Sequence, residues 1–225
     1  MPNVKDRFTR ARYYLQTEGI GSLLSRVLSF LQSYLIQNES YYLYKHTLKE
    51  RPDVEFRPRI DDFTFEIISS ASEADKLAAK GIDVSQISMF AERGFDKGAI
   101  AFCVFINNEL AHVGWVAMTE EAKNTFDGVP YSVDFSNGEA CTGGTRTIPK
   151  YRQLGLMVYG YYKRFEYLRE QGCVISRAAV ATDNVASQKV HTRFNPTIYA
   201  KARFLKILWW TSYRETSLEQ NPVLS

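Results

Sequence analysis

This chain of 225 residues has few cysteines, few histidines, no long apolar run and little net charge, and each shortage excludes a class of protein. Its three cysteines, Cys103, Cys141 and Cys173, are odd in number and far apart, with no Cys-x-x-Cys pair. A disulfide framework or a structural zinc site needs closer, paired spacing. The histidines, His46, His112 and His191, are equally scattered, so no metal centre is expected and the thiols read as reduced. No stretch reaches the roughly 18 uncharged apolar residues of a spanning helix. The N-terminus lacks the basic start, apolar core and small-residue cleavage site of a signal peptide. A cytoplasmic protein is therefore expected. A formal net charge of +3, with no basic stripe interleaved with aromatics, argues against nucleic acid as a partner. A mild positive field would nonetheless suit a polyanionic cofactor.

What is present is enough apolar material for a core, 45% hydrophobic and 14% aromatic. The chain divides by pattern into an N-terminal amphipathic helix and linker over 1–60, an α/β domain over 61–215 and a tail over 216–225. In the first zone Leu23, Leu24, Val27, Leu28, Leu31 and Leu35 recur at helical spacing, and the aromatic run Tyr41-Tyr42-Leu43-Tyr44 follows. With Arg7, Arg10, Arg12 and Arg26 nearby, residues 20–36 suit peripheral contact with a membrane surface. They equally suit a helix docked on its own domain or on the second subunit of a homodimer. Lys49–Asp62 is charged, carries Pro52 and Pro58, and reads as an extended linker.

The third zone mixes strands and helices. Phe63–Ile68 is strand-like, and Ser70 with Glu73 three residues on forms a capping-box pattern. Ala99–Ile106 and Glu109–Met118 flank Asn107-Asn108 and predict a hairpin. Thr119–Ser136 reads as a polar loop. Glu139–Thr147 is a strand made unusual by Gly143-Gly144, a pair that marks a bulge or a close backbone approach. After Pro149 the period becomes helical, with Val158, Tyr162, Phe165 and Leu168 on one face, Lys163, Arg164, Glu166 and Glu170 elsewhere, and Gly172 as the stop. Cys173–Val180 is strand-like, and Asn184–Arg193 a short helix. The stretch that follows alternates, Ile198, Ala200, Ala202 and Phe204 against Tyr199, Lys201 and Arg203.

The passage from strand to helix, Thr147-Ile-Pro-Lys-Tyr-Arg-Gln-Leu-Gly-Leu-Met157, carries the chemistry. Amide N–H groups at a helix start lack intrahelical acceptors and the helix dipole adds positive potential, so a glycine turn there can receive a pyrophosphate. Arg152-Gln-Leu-Gly155-Leu-Met157 resembles the cofactor motif of the GNAT (GCN5-related N-acetyltransferase) family, with Met157 where a small residue is usual. Thr182-Asp183-Asn184-Val-Ala-Ser187, after its strand, resembles the family's next motif.

The resemblance, best from Glu139 to Phe194, implies a mixed, mostly antiparallel α/β sheet with two splayed central parallel strands flanked by helices, plus an N-terminal helical extension. It further implies acetyl-CoA, or another acyl-CoA, as cofactor, held by Arg152, Gln153, Leu154, Gly155, Leu156 and Met157. Thr145, Arg146 and Thr147 would pair with the pantetheine amides, Asn184 and Ser187 would meet its arm, and a bulge N–H near Cys141–Gly144 would face the acyl oxyanion. At the family's acid position, usually tyrosine, stands His191. Glu139, at the start of the central strand, is the candidate base, with Asp134, Glu120 and Glu121 as rivals. A covalent route through Cys141 lacks a histidine partner. The implied activity is acyl transfer to a primary amine, on a small molecule or peptide, by direct attack in a ternary complex. The alternatives are a non-catalytic CoA- or partner-binding module and a long-chain N-acyltransferase acting on an envelope or lipid-linked acceptor.

Overall fold

The computed structural model of the chain describes residues 36–84, 87 and 94–218. The helix read over Leu23–Leu35 lies outside the described residues, and with it all but Ile36 of the segment assigned to membrane or subunit contact. Residues 41–201 and 216–218 form one compact unit, and residues 36–40 and 202–215 another. No helix among the described residues is long and apolar enough to cross a membrane.

Eight strands make one sheet: β1 (Ile36–Thr47), β2 (Thr64–Ile68), β3 (Ile100–Ile106), β4 (Glu109–Ala117), β5 (Glu139–Thr147), β6 (Ile175–Ala181), β7 (Thr197–Ile207) and β8 (Trp210–Ser217), in the order β2-β3-β4-β5-β6-β1-β7-β8. Among the described residues there are four α-helices: α1 (Ala71–Ala79), α2 (Glu120–Phe126), α3 (Leu156–Glu170) and α4 (Val185–Thr192). The sheet is mostly antiparallel; β5 and β6 are parallel.

Local rules explain much of this. The β3–β4 hairpin turns on Asn107 and Asn108, both at positive φ, which asparagine tolerates better than other non-glycine residues. Ser70 caps α1 by accepting from the Glu73 amide, and the Glu73 carboxylate reaches back to Ser69. Gly172, at φ +82, ends α3. Ala200, Ala202 and Phe204 are buried along β7 as the alternation predicts, while Ile198 is exposed.

Four readings need correction, three of segments and one of a side chain. The zone before residue 60 was expected to hold a helix and a linker. Its Tyr41–Thr47 segment instead pairs antiparallel with Ala181–Ile175 of β6 and belongs to the larger unit. Leu43 and Tyr44 are fully buried there, so no period-two pattern betrays the strand. The linker is not loose either. Phe56 is buried and stacks on both Tyr162 and Phe194, with ring centroids 5.0 Å apart in each case. The Arg59 amide also donates to the Leu154 carbonyl at 2.8 Å. Finally, the loop over Thr119–Ser136 contains α2, capped by Thr119 through the Ala122 amide.

Arg164 was read as facing away from the core, yet it is completely buried on α3. Space for its guanidinium exists because Gly114 of β4 has no side chain; a Cβ there would stand 2.6 Å from Arg164 Cζ. The reciprocal exchange occurs one turn away, where a Cβ on Gly160 of α3 would stand 2.5 Å from His112 Nε2 of β4.

Candidate active site

The parallel pairing of β5 with β6 covers only Glu139–Cys141 against Ile175–Arg177. Beyond it the strands part, and residues of both, Gly143–Thr147 and Ala179–Ala181, line a cleft of ≈ 1290 Å³. On the other side, β4 and β5 change register between Val113–Arg146 and Trp115–Gly143, so Gly144 and Thr145 oppose Gly114 alone. This is the bulge the glycine pair predicts. Gly144 has φ +55, and a Cβ on it would lie 2.7 Å from Trp115 Cδ1. Both strain and collision therefore follow from Gly144→Ala, which is expected to destabilise the fold by about 1–3 kcal/mol, read as a lower urea midpoint at unchanged m. A variant as stable as the parent would show that the bulge relaxes.

At the mouth, α3 begins without a side-chain cap. Gly155 (φ +82) precedes it, and Leu156, Met157 and Val158 of its first turn line the cleft. Gln153, at φ +67, bends the loop before it. Consecutive amides in such a turn point at a common centre and form an anion-binding concavity. Six cationic side chains, Arg57, Arg59, Arg146, Arg152, Lys189 and Arg193, line the cleft against one carboxylate, Glu55. Arg57 and Arg59, two of the six, come from the segment read as a linker, so that part of the basic wall was illegible as such.

Of the residues expected to hold a cofactor, Thr145, Arg146, Thr147, Arg152, Gln153, Gly155, Leu156, Met157, Asn184 and Ser187 line the cleft. Leu154 does not; it packs toward the Val104–Leu156 cluster and offers its carbonyl to Arg59. Asn184 caps α4, its side-chain oxygen accepting from the Ser187 amide at 3.0 Å.

The acid and base candidates fare differently. Glu139 sits at the far end of β5, about 13 Å along the strand from Gly143 at the ordinary rise per residue. Arg177 clamps it from two sides (2.9 and 2.6 Å), and the Asp134 amide donates to it as well. Burial raises its pKa, but these donors outweigh burial and the net shift is downward. It is a structural ion pair outside the cleft. His191 is fully buried and also does not line the cleft. Its Nδ1 meets His46 Nε2 at 2.8 Å, and Tyr44 stacks on its ring at 4.7 Å. Burial, then His46 and Arg164, push its pKa well below the ordinary value, so it cannot serve as a proton reservoir near neutrality.

The three histidines, scattered in sequence, thus share one feature: all are buried, and the Arg164 guanidinium opposes the protonation of each. His112 keeps Thr147 in place through Nδ1 and Oγ1 at 2.8 Å. Among the described residues no group of three or more His, Cys, Asp or Glu is arranged to hold a metal. All three cysteines are free and buried, and burial raises the Cys141 thiol well above its ordinary pKa, which removes it as a nucleophile.

Of the rival carboxylates, Glu120 and Glu121 are exposed, and Asp134 is held by Ser136 and Asn137. Two groups escaped the sequence reading. Tyr161 lines the cleft with Arg164 3.9 Å from its ring centre. Asp127, beside the bulge, is half-buried; its Oδ2 would lie 3.7 Å from a Cβ on Gly143.

No family profile matches the sequence, and no curated protein matches it. Solved structures do. A GCN5-related glucosamine N-acetyltransferase region of a fungal multi-domain GH3 β-N-acetylglucosaminidase superposes with TM-score 0.53 at 13% identity, over 80% of this chain and 22% of that one. A tandem GNAT protein from the clavulanic acid biosynthesis pathway gives TM-score 0.50 at 14% identity, over 83% and 57%. A GNAT-family acetyltransferase from Colwellia psychrerythraea gives 0.49 at 14%, over 77% and 57%. In each case this chain spans less than two thirds of the other protein's length. At such identities the likeness speaks of architecture: the chain has the fold of the GNAT acetyltransferases.

Proposed function

We propose that this protein is an acyl-CoA-dependent N-acyltransferase with acetyl-CoA as donor, transferring the acyl group to a primary amine. The observation that carries the reading is the cleft between the parted strands, with an uncapped helix start and six cations at hand. A ligand that fits must be long, anionic at one end and able to pair with strand edges. The phosphates of CoA would meet the amides of Gly155–Met157 and Arg152, Arg57, Arg59 and Lys189. Its pantetheine amides would complete the unpaired edges at Thr145–Thr147 and Ala179–Ala181. The thioester would then reach the Gly143–Gly144 bulge, whose N–H groups can face the developing oxyanion. Tyr161 supplies a phenol in the cleft wall to protonate the departing thiolate. A second reading, a CoA-binding module without catalysis, is favoured by the exclusion of Glu139 and His191 from the cleft.

Titration of the full chain with acetyl-CoA, monitored by thermal unfolding, tests the reading. A saturable rise is expected, worth about 2.7 kcal/mol at 100 times Kd, or roughly 5–10 °C for a chain of this size. A folded protein that shows no rise with any CoA species would overturn it.

A further inference from the structure

Glu139 lies far along β5 and His191 is fully buried, so the acceptor amine still needs a group to take its proton. The cleft wall itself carries no carboxylate but Glu55. The face of β5 turned toward α2 offers one. Cys141 and Gly143 lie on this face, and against them stands a small polar cluster composed of Asp127, Tyr131 and Cys141. The Val129 amide donates to Asp127 Oδ1 at 3.0 Å, and the Tyr131 hydroxyl donates to Oδ2 at 2.7 Å. The hydroxyl also meets Cys141 Sγ at 3.1 Å, and the thiol approaches Oδ2 at 3.9 Å. The carboxylate is thus held from both oxygens, in one orientation, against the glycine where the strands part.

We infer that Asp127 is the general base of the acyl transfer, with Tyr131 as its positioning residue, and that the acceptor amine enters from the α2 face of the sheet. This rests on the acyl-transfer reading above. With no side chain at Gly143, the carboxylate stands beside the bulge: Asp127 Oδ2 is 3.7 Å from where a Cβ would lie, next to the Phe126 ring edge at 3.2 Å. The amine nitrogen forms the new C–N bond to the thioester carbon as its N–H proton passes to Asp127 Oδ2. The C–S bond then breaks, and the thiolate leaves with a proton from Tyr161; both side chains reset by exchange with solvent. Burial raises the Asp127 pKa more than its donors lower it, which brings a carboxylate closer to the amine in proton affinity. The charged and titratable groups around it are Lys123 and Glu120 of α2, Tyr131 and Cys141. Lys123 is itself fully buried, donates to the Val129 carbonyl at 3.0 Å and stands 3.6 Å from Glu120.

The test uses the full chain, acetyl-CoA, and spermidine, tyramine and a lysine peptide as amine probes, with thiol release as the readout. Asp127→Asn is expected to lower amine-dependent release by about 10²–10⁴-fold while the thermal shift with acetyl-CoA persists. Equal release by parent and variant, including none by either, overturns the assignment of the base. Loss of the thermal shift in the parent would instead remove the acyl-transfer reading beneath it. Should Asp127→Asn not fold, Tyr131→Phe carries the test. Removing a donor to the carboxylate raises its pKa further, so the acidic limb of the pH–rate profile moves to higher pH. A limb that stays where the parent has it overturns the inference, because a merely structural tyrosine would change stability and leave the limb unmoved.

Discussion

A chain that begins at Asp61, where composition alone puts the start of the α/β domain, is expected not to fold. It would lose the Tyr41–Thr47 ladder, leaving β6 paired to β5 over only three residue positions, Ile175–Arg177. It would also lose the buried side chains of Tyr41, Leu43, Tyr44 and Phe56. At about 1.5–3 kcal/mol each, their burial amounts to roughly 6–12 kcal/mol, comparable with the whole stability of an ordinary domain, about 5–15 kcal/mol. His191 would lose the His46 imidazole, and Phe165 and Phe194 would face water. Near-ultraviolet circular dichroism and urea unfolding check this. A shortened chain with a cooperative transition and the m-value of the full chain would mean that β1 is dispensable.

The second large effect is acid sensitivity well above the range where carboxylates titrate. Burial first, and then Arg164, lower the pKa of His46 and His112 to about 3, and His191 is lowered too, by burial, His46 and Arg164. A histidine near 6.5 when unfolded and far lower when folded binds its proton only after unfolding. Its penalty is absent above the unfolded value and accumulates as pH falls from about 6.5 toward the folded value. Between pH 7 and pH 5 each such histidine costs about 2 kcal/mol, so three cost about 6 kcal/mol. Asp127 works in the opposite sense, since its raised pKa lets the folded state take a proton first, and it offsets part of the loss. Glu139, Glu73, Glu109 and Asp134 are lowered, so their contribution is present above the ordinary carboxylate pKa and is lost only below it. Urea midpoints at pH 7, 6 and 5 give the measurement. Between two and three protons should be taken up on unfolding near pH 5; stability unchanged over that span would show that the histidines are not buried in their neutral form.

How much of this could be read from the chain follows from where the information lies. Asn107-Asn108, Gly143-Gly144 and the Arg152–Met157 loop announce themselves, because turn chemistry and helix entry are decided within a few residues. The cleft's basic wall was legible from Arg146 onward for the same reason. His191 matched a spacing and was misassigned, because its burial depends on His46, 145 residues away, and on rings from α3. Arg164 was placed on the outer face because a charged residue ordinarily belongs there. Only the missing side chain at Gly114 makes its burial feasible. β1 hid because it is covered on both faces, so its pattern is an aromatic run rather than an alternation. Asp127 left one local trace, the Asp-Gly-Val-Pro-Tyr turn, which reads as loop and conceals a carboxylate held by Tyr131 beside Gly143.

The two glycines exchanged between β4 and α3 have a mechanical consequence. Each element contributes one hole and one peg: Gly114 receives Arg164, and Gly160 receives His112. A single peg would fix where the helix touches the sheet but leave it able to pivot. Two pegs pointing in opposite directions, one turn of helix apart, act as dowels and stop both sliding and rotation. The amides of Leu156–Val158 therefore meet the cleft at a fixed height, set from beneath by a joint that also holds Thr145 through Arg164 and Thr147 through His112. Enlarging either hole's floor, at 114 or 160, would be tolerated only with a shorter peg opposite, at 164 or 112 respectively. These four positions should change in pairs or not at all.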